Sequence, residues 1–195
     1  MTLDSTIALI TVQEVNDFLG IPAENQDERE KTIIEGLINS ASQAIINYCH
    51  RKFIKVAAAI SEIKNGDNTK CIYVQNRPIV SISSIKYWDG SAYVAHTGTY
   101  SYDATTGKIW FTDGNIFSEY EDYWQINYIY GYECDDVPSD LKLACIQLVA
   151  LKKKLFDDNA HGVSSRTFPD QNISYSFDKM PDDVKQTLNF YRRIA

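Results

Sequence analysis

The sequence has no long hydrophobic run and no excess of basic residues. No segment approaches the roughly 18 consecutive apolar residues that a membrane-spanning helix needs, and no basic region precedes a long apolar core near the N-terminus. We therefore expect no signal peptide and no membrane partner, in a soluble protein made in the cytoplasm. The formal net charge of -7 leaves no basic patch for phosphates, so tight binding of nucleic acid is not expected either.

Residues suited to metal, redox or catalytic chemistry are few and scattered. The cysteines and histidines, none of which has the spacing of a metal knuckle or a redox pair, are Cys49, Cys71, Cys134, Cys145, His50, His96 and His161. The chain contains neither a G-x-S-x-G motif nor a glycine-rich phosphate loop. We therefore predict no catalytic, cofactor-binding or metal-binding residues, no cofactor, and a protein that is not an enzyme.

The clearest pattern lies in residues 122–156, where an alternating strand leads into a long helix. The large side chains at every second position of the strand are Trp124, Ile126, Tyr128 and Tyr130. This period of two predicts a half-buried strand, which Gly131 ends. The helix is predicted to begin near Ser139 and Asp140, either of which can accept the first free amide hydrogens as a cap.

The long helix carries apolar residues on two sides. Its main stripe, at helical spacing, consists of Leu141, Ala144, Cys145, Leu148, Val149, Leu151 and Leu155. A second stripe, roughly opposite the first, contains Leu143, Ile146 and Ala150. A helix that is apolar on two sides is either fully buried or shared between two chains. We identify the second stripe as a candidate subunit–subunit interface.

Two helices are predicted near the N-terminus. Thr11 and Glu14 have the spacing of a capping box, and Gly20 closes the short helix that follows. A longer amphipathic helix is predicted over residues 27–50. Its apolar stripe consists of Ile34, Leu37, Ile38, Ala41, Ile45 and Tyr48, and we expect this face to pack on the helix of residues 141–155.

The region between the two long helices is rich in aromatic and β-branched residues. It predicts about six short strands, including residues 54–63, 79–88, 93–102 and 108–112, separated by turns such as Asp89-Gly90. Because no helices alternate with these strands, a parallel sheet is excluded. We expect an antiparallel meander or a small barrel.

The C-terminal part of the chain is loosely patterned and ends in a helix. Residues 173–177 fit a short strand, and a final helix begins near residue 181. Val184, Leu188 and Tyr191 give this helix one apolar side, and Arg192 and Arg193 lie at its end. We identify these five residues as a candidate surface for docking on the chain's own body or on a neighbour.

Together these patterns predict an α+β fold. A small antiparallel helical bundle, with a short N-terminal helix, two long helices and a C-terminal helix, carries an inserted antiparallel β domain. The predicted helical domain comprises residues 1–53 and 133–195, with a C-terminal docking arm at 157–195. The predicted β domain comprises residues 54–132.

The order of these parts resembles the head–tail connector (adaptor) proteins of tailed bacteriophages. The segments that carry the resemblance are LITVQEV at 9–15, FLGI at 18–21, INSA at 38–41, YCHRKF at 48–53, RPIVSI at 77–82, IYGY at 129–132, VPSDLKLA at 137–144, ISYS at 173–176 and LNFYRR at 188–193. Residues 166–170 and the large β insertion depart from the usual pattern, so the resemblance gives no role for the insertion.

The resemblance implies a structural protein of the virion neck, made in the cytoplasm of a bacterial host. It implies a homo-oligomeric ring, typically a dodecamer, mounted under the portal protein and joined to a stopper or tail-completion protein, with DNA passing through without specific binding. A second hypothesis comes from the aromatic residues themselves: the β region is a binding module of a phage tail component that recognises a host surface or a glycan, with Trp88 or Trp110 as a platform.

Overall fold

The computed structural model of the protein describes residues 2–22, 27–158, 165–168, 171–174 and 180–192. Its helices are α1 (Val12–Leu19), α2 (Glu28–Cys49), α3 (Ser139–Asp157) and α4 (Asp182–Asn189). Its strands are β1 (Ile60–Lys64), β2 (Cys71–Tyr73), β3 (Ile79–Trp88), β4 (Tyr93–Ala95), β5 (Tyr100–Asp103), β6 (Lys108–Phe111), β7 (Trp124–Tyr130), β8 (Ser165–Phe168) and β9 (Gln171–Ser174). Two compact units result: a helical unit, Met1–His50 with Val137–Ala195, and a β unit, Arg51–Asp136.

Helix α1 begins and ends as the sequence predicts. The Glu14 amide donates to the Thr11 hydroxyl at 3.2 Å, and the Thr11 amide donates to a Glu14 carboxylate oxygen at 2.7 Å, which completes the capping box. Gly20 ends the helix at φ +65°, a left-handed conformation that a residue with a Cβ rarely adopts. The predicted capping box and glycine stop are confirmed.

Helix α2 packs on α3, also as predicted. Asp27 caps α2 by accepting the Glu30 amide hydrogen at 2.6 Å. The α2 residues buried in the core are Ile34, Ile38, Ala41, Ser42, Ile45 and Cys49. Lys152 of α3 donates to the Ser40 hydroxyl at 2.6 Å, which ties the two helices together beside their apolar contact.

The predicted cap of α3 is wrong. Pro138 stands at the cap position, and neither Ser139 nor Asp140 supplies a side-chain cap because both already lie within the first turn. The Asp140 carboxylate instead accepts the Leu141 amide hydrogen at 2.9 Å and the Tyr191 hydroxyl hydrogen at 2.6 Å. Asp140 therefore links the start of α3 to the segment that follows α4.

The β unit contains two antiparallel sheets, with strand orders β1-β7-β3-β4 and β2-β6-β5. The prediction of an antiparallel α+β fold is confirmed, but the meander is wrong, because β7 lies between β1 and β3 rather than beside β6. Among the described residues no sheet closes into a barrel. Because β7 lies between β1 and β3, every second side chain of this strand is buried and the others are half-buried.

Two of the predicted strands have other limits. Of residues 54–63, only the end belongs to β1, and residues 93–102 divide between β4 and β5, which lie in different sheets. The chain bends near Gly98, where an added Cβ would lie 2.2 Å from the Asp113 carboxylate, and the Thr99 amide donates to the same carboxylate at 2.9 Å. This bend separates the two strands.

Both sheets contribute to one aromatic core. The Phe111 and Phe117 rings stack with their centroids 4.3 Å apart, and Trp124 packs edge-on against Phe117 at 5.0 Å. Ile72 and Ile109 enter this core from the β2-β6-β5 sheet. Part of the aromatic enrichment is therefore explained by packing.

The chain enters and leaves the β unit along paired segments. The Tyr132 amide donates to the Phe53 carbonyl at 2.7 Å, and the Lys55 amide donates to the Tyr132 carbonyl at 2.9 Å. Gly131, at φ +105°, permits this approach, because an added Cβ would lie 2.5 Å from the backbone of Ile54 and Lys55. The incoming and outgoing segments therefore lie side by side.

We predict that the Tyr128 hydroxyl stabilises the β unit. It donates to Glu62 at 2.5 Å and accepts the Asn76 amide hydrogen at 3.2 Å. Burial, together with the Glu62 carboxylate, raises the pKa of Tyr128 above its ordinary value. Tyr128→Phe leaves both partners without this bond and should lower the free energy of unfolding by about 1–3 kcal/mol in urea titrations.

The matched control is Tyr130→Phe, because the Tyr130 ring is buried in the same strand while its hydroxyl makes no hydrogen bond to the described residues. This variant should change stability by less than about 0.5 kcal/mol. Equal effects of the two substitutions would show that the Glu62 hydrogen bond contributes nothing.

Candidate assembly surfaces

Helix α3 buries one stripe and leaves part of the other accessible. Its buried residues are Leu141, Ala144, Cys145, Leu148 and Val149. On the second stripe, Leu143 is 46% exposed, whereas Ile146 and Ala150 are half-buried. The single chain therefore leaves part of the predicted subunit interface uncovered, and whether a second copy covers it stays a prediction.

An ion pair with α1 helps to hold α3 in place. The Lys142 ammonium group lies 2.8 Å from the Glu14 carboxylate of α1. Although burial acts to raise it, hydrogen bonds from Lys142 and Thr11 lower the pKa of Glu14. Leu143, next to Lys142, therefore lies on a helix that is held in place by its contact with α1.

Inside the helical unit the Cys145 thiol lies 3.6 Å from the Ser42 hydroxyl, and burial raises the pKa of Cys145 to about 12. A thiol with so high a pKa is almost entirely protonated at neutral pH and is a poor nucleophile. Cys145 is therefore a packing residue of the helical unit.

Helix α4 docks on its own unit. Val184 and Leu188 are fully buried against α2 and α3. The Tyr191 hydroxyl donates to Asp140, the Tyr48 hydroxyl donates to Asn189 at 2.9 Å, and the Arg192 guanidinium lies 5.4 Å from the centre of the Tyr48 ring. In this arrangement Val184 and Leu188 are covered by the chain itself.

The predicted docking surface is thus divided by the structure. Arg192 is exposed and Tyr191 is half-buried, so both can meet a partner while α4 is docked. Arg193 lies outside the described residues. The role of these residues at a portal or a neighbouring subunit stays a prediction.

A shallow groove adjoins the second stripe of α3. Its volume is about 330 Å³, and its lining residues are Leu19, Ile21, Ala150, Lys153, Lys154, Asp157 and Asp158. The side chains that line it are partly apolar and partly charged, which is typical of a surface at the edge of a protein–protein contact rather than of a small-molecule site.

A second open surface lies in the β unit. A cleft of about 580 Å³ is lined by Tyr87, Trp88, Asp89, Gly90, Tyr120, Glu121 and Tyr123. Trp88, one of the two residues of the predicted platform, belongs to it. Trp110 lies in the other sheet, half-buried, with the Lys108 ammonium 5.7 Å from its ring centre. The two tryptophans therefore do not form one platform.

Several exposed aromatic residues, among them Phe18, Tyr120 and Phe190, are not predicted to be surface residues by the sequence patterns. Phe18 is an apolar residue of α1 but is 52% exposed, and Tyr120 and Phe190 are exposed as well. The position of Phe18 next to Asp17 within a polar helix is the only sequence signal for its exposure. Tyr120 lies in a polar segment between two strands, where secondary-structure propensity does not predict whether a side chain is buried or exposed.

Within the described residues, no three side chains of His, Cys, Asp or Glu come together as a set that could hold a metal ion. No described helix combines the length and the apolar character needed to cross a bilayer.

Comparison with known proteins identifies the family. The sequence profile of head completion proteins matches residues 8–194. The chain belongs to the head completion protein family, which consists of structural phage proteins rather than enzymes. The resemblance to head–tail connector proteins is confirmed by this match. A search of curated proteins found no match.

Solved structures with a similar fold come from gene transfer agent (GTA) particles. A chain from "Neck of empty GTA particle computed with C6 symmetry" has a TM-score of 0.63 and 13% identity, covering 100% of this chain and 94% of that chain. A chain from "Virion of native gene transfer agent (GTA) particle" has a TM-score of 0.61 and 15% identity, covering 100% of this chain and 94% of that chain. A chain from "Neck of native GTA particle computed with C12 symmetry" has a TM-score of 0.58 and 15% identity, covering 100% of this chain and 93% of that chain. The likeness is one of fold.

Proposed function

We propose that this protein is a structural subunit of the neck of a phage-type particle, where identical copies form a ring under the portal. The observation that carries the proposal is the family match over residues 8–194. The fold supports it, because chains of similar fold belong to particles whose necks were computed with C6 and C12 symmetry. A ring of one subunit type, with a dodecamer as the expected form, is consistent with such symmetry.

The second stripe of α3 is the proposed contact between neighbouring subunits. Leu143 is exposed in the single chain, and Ile146 and Ala150 extend the same side of the helix with half-buried side chains. Covering this apolar area in a neighbour's surface would remove it from water and stabilise the ring.

The C-terminal arm is the proposed contact with the portal or with the next subunit. Of the residues predicted for this contact, Tyr191 and Arg192 are accessible while α4 is docked, and Arg193 follows them in the sequence. Val184 and Leu188 would contribute indirectly, by holding α4 in place.

The remaining proposals concern the other partners and the division of labour. A net charge of -7 suits a channel wall along which DNA slides without specific binding, because negative charges repel phosphates. A stopper or tail-completion protein is the proposed partner on the tail side. We also infer that the helical and β units are separate domains, with assembly assigned to the helical one.

Coexpression with the portal protein of the same particle tests the ring. Negative-stain images of the purified mixture should show rings of this protein attached to portals. Mass measurement of the isolated chain should show oligomers or a monomer that assembles only on the portal. A monomer that fails to bind the portal at micromolar concentration would overturn the proposal.

The aromatic cleft of the β unit keeps a second candidate function open: recognition of a host surface or glycan by a tail component. Its open shape and the exposed Trp88 are the observations in its favour. A glycan array tests it directly, since binding should be lost in Trp88→Ala and retained in Trp110→Ala, which alters the other sheet.

A further inference from the structure

The aromatic cleft of the β unit lies where two connections meet. One side is the end of β3 and the turn that follows it. The other is the segment that leads into β7, and the Trp88 amide joins the two by donating to the Tyr123 carbonyl at 2.8 Å. The Tyr93 hydroxyl also anchors this turn, because it donates to the Asp122 carbonyl at 2.6 Å. The cleft is thus built on strands that hold its walls together.

Its walls present neutral aromatic rings to solvent. Tyr120 is 63% exposed, and its ring centre lies 5.0 Å from that of Tyr123, which in turn lies 5.9 Å from Tyr87. Burial and the neighbouring Tyr87 and Tyr120 raise the pKa of Tyr123, so this phenol stays uncharged at neutral pH. Trp88, packed against Tyr93 at 5.2 Å, adds a partly exposed indole.

The cleft also carries uncompensated negative charge. Asp89 accepts hydrogen bonds from the Ala92 amide and from both the amide and the hydroxyl of Ser91, and these bonds lower the pKa of Asp89 and keep it ionised. Glu121 makes no hydrogen bond or ion pair with the described residues, and no lysine or arginine is among the lining residues. Two carboxylates therefore stand beside aromatic faces without a cation.

We propose that this cleft binds a lysine or arginine side chain carried by an exposed segment of a partner protein. Aromatic faces attract cations through their quadrupole, and carboxylates add charge-assisted hydrogen bonds. A neutral glycan would stack on the same rings but would leave both carboxylates without an opposite charge. The charge of the cleft therefore favours a basic peptide. The inference adds a partner surface to the neck subunit and does not depend on ring formation.

The test uses the full-length chain and two synthetic peptides. One carries three arginines spaced by glycine and serine, and the other has glutamine in place of each arginine. Titration followed by NMR should shift the indole signal of Trp88, with the arginine peptide binding at least about fivefold more tightly than the glutamine peptide. The difference should shrink as salt is raised, because exposed charges are screened.

Variants locate the site. Tyr120→Ala and Glu121→Gln should each weaken binding of the arginine peptide by about three- to tenfold. Tyr73→Ala is the matched aromatic control, because Tyr73 is 55% exposed in the other sheet, and Glu35→Gln is the matched charge control in the helical unit. Neither control should alter binding.

Several outcomes would overturn the proposal. These are equal binding of the two peptides, no shift of Trp88 at millimolar peptide, equal losses in the Tyr73 and Tyr120 variants, or binding to a glycan array with no response to the arginine peptide. Because the titration uses the isolated chain, a failure here leaves the proposed neck role intact, and failure to assemble on a portal leaves this result intact.

Discussion

The Leu143→Glu variant is expected to fold normally and to lose assembly into rings. Leu143 is exposed on α3 in the single chain, so a glutamate there remains in water and, being a good helix former, leaves the helix intact. In a ring the same carboxylate would be buried without a partner. A cost of about 3 kcal/mol at each interface corresponds to at least about a hundredfold weaker association.

Circular dichroism and urea unfolding check the fold of this variant, and mass measurement with and without portal checks its assembly. The control is Ile63→Glu, because Ile63 is also 46% exposed but lies on β1 in the other unit. Rings formed equally well by wild type and by Leu143→Glu would exclude this face as the interface. Loss of rings in both variants would show a general effect of added charge.

The Leu188→Ala variant is expected to lose about 2–5 kcal/mol of stability, which is a large share of the total for a domain of this size. Leu188 is fully buried, and its removal leaves a cavity among α2, α3 and α4. The prediction separates two views of the C-terminal arm. A loosely attached arm would tolerate the substitution, whereas an arm that forms part of the core would not.

Phe190→Ala is the matched control, since Phe190 lies two residues further on and is 85% exposed. Its substitution should change the free energy of unfolding by less than about 0.5 kcal/mol. The measurement is urea unfolding followed by far-ultraviolet circular dichroism. Equal and small effects of Leu188→Ala and Phe190→Ala would mean that α4 is not docked in solution.

Local signals in the sequence were sufficient for the helices and for the central strand. The Thr11–Glu14 capping box and the alternation of β7 involve residues close together in the chain, so each can be read directly. The packing of α2 on α3 followed from matching apolar stripes. The predicted cap of α3 is wrong, because the helix begins one residue earlier than its capping residues require, with Pro138 at the cap position.

Strand pairing in the β unit could not be predicted from the sequence. Pairing β1 with β7 joins segments about sixty residues apart, and short strands carry too little pattern to select such partners. The bend at Gly98 depends on Asp113, which approaches only in the folded chain. For the same reason the aromatic cleft, formed by two separate connections, gave no single sequence signal.

Helical spacing in the sequence predicted both candidate surfaces, the apolar face of α3 and the C-terminal group of apolar residues with two arginines. The spacing does not show which residues of these surfaces are buried within the single chain. The structure leaves Leu143 uncovered and covers Leu188, although both are leucines at helical spacing. The difference arises from which helices pack together, and this depends on contacts between distant parts of the chain.

The chain enters the β unit at Phe53 and leaves it at Tyr132, and these two segments are hydrogen-bonded side by side. A domain whose two chain connections lie next to each other can be replaced by a shorter linker, or by another domain, without altering the length of the helices on either side. Replacing the β unit would therefore change the surface that the protein presents, while the helical unit stays the same.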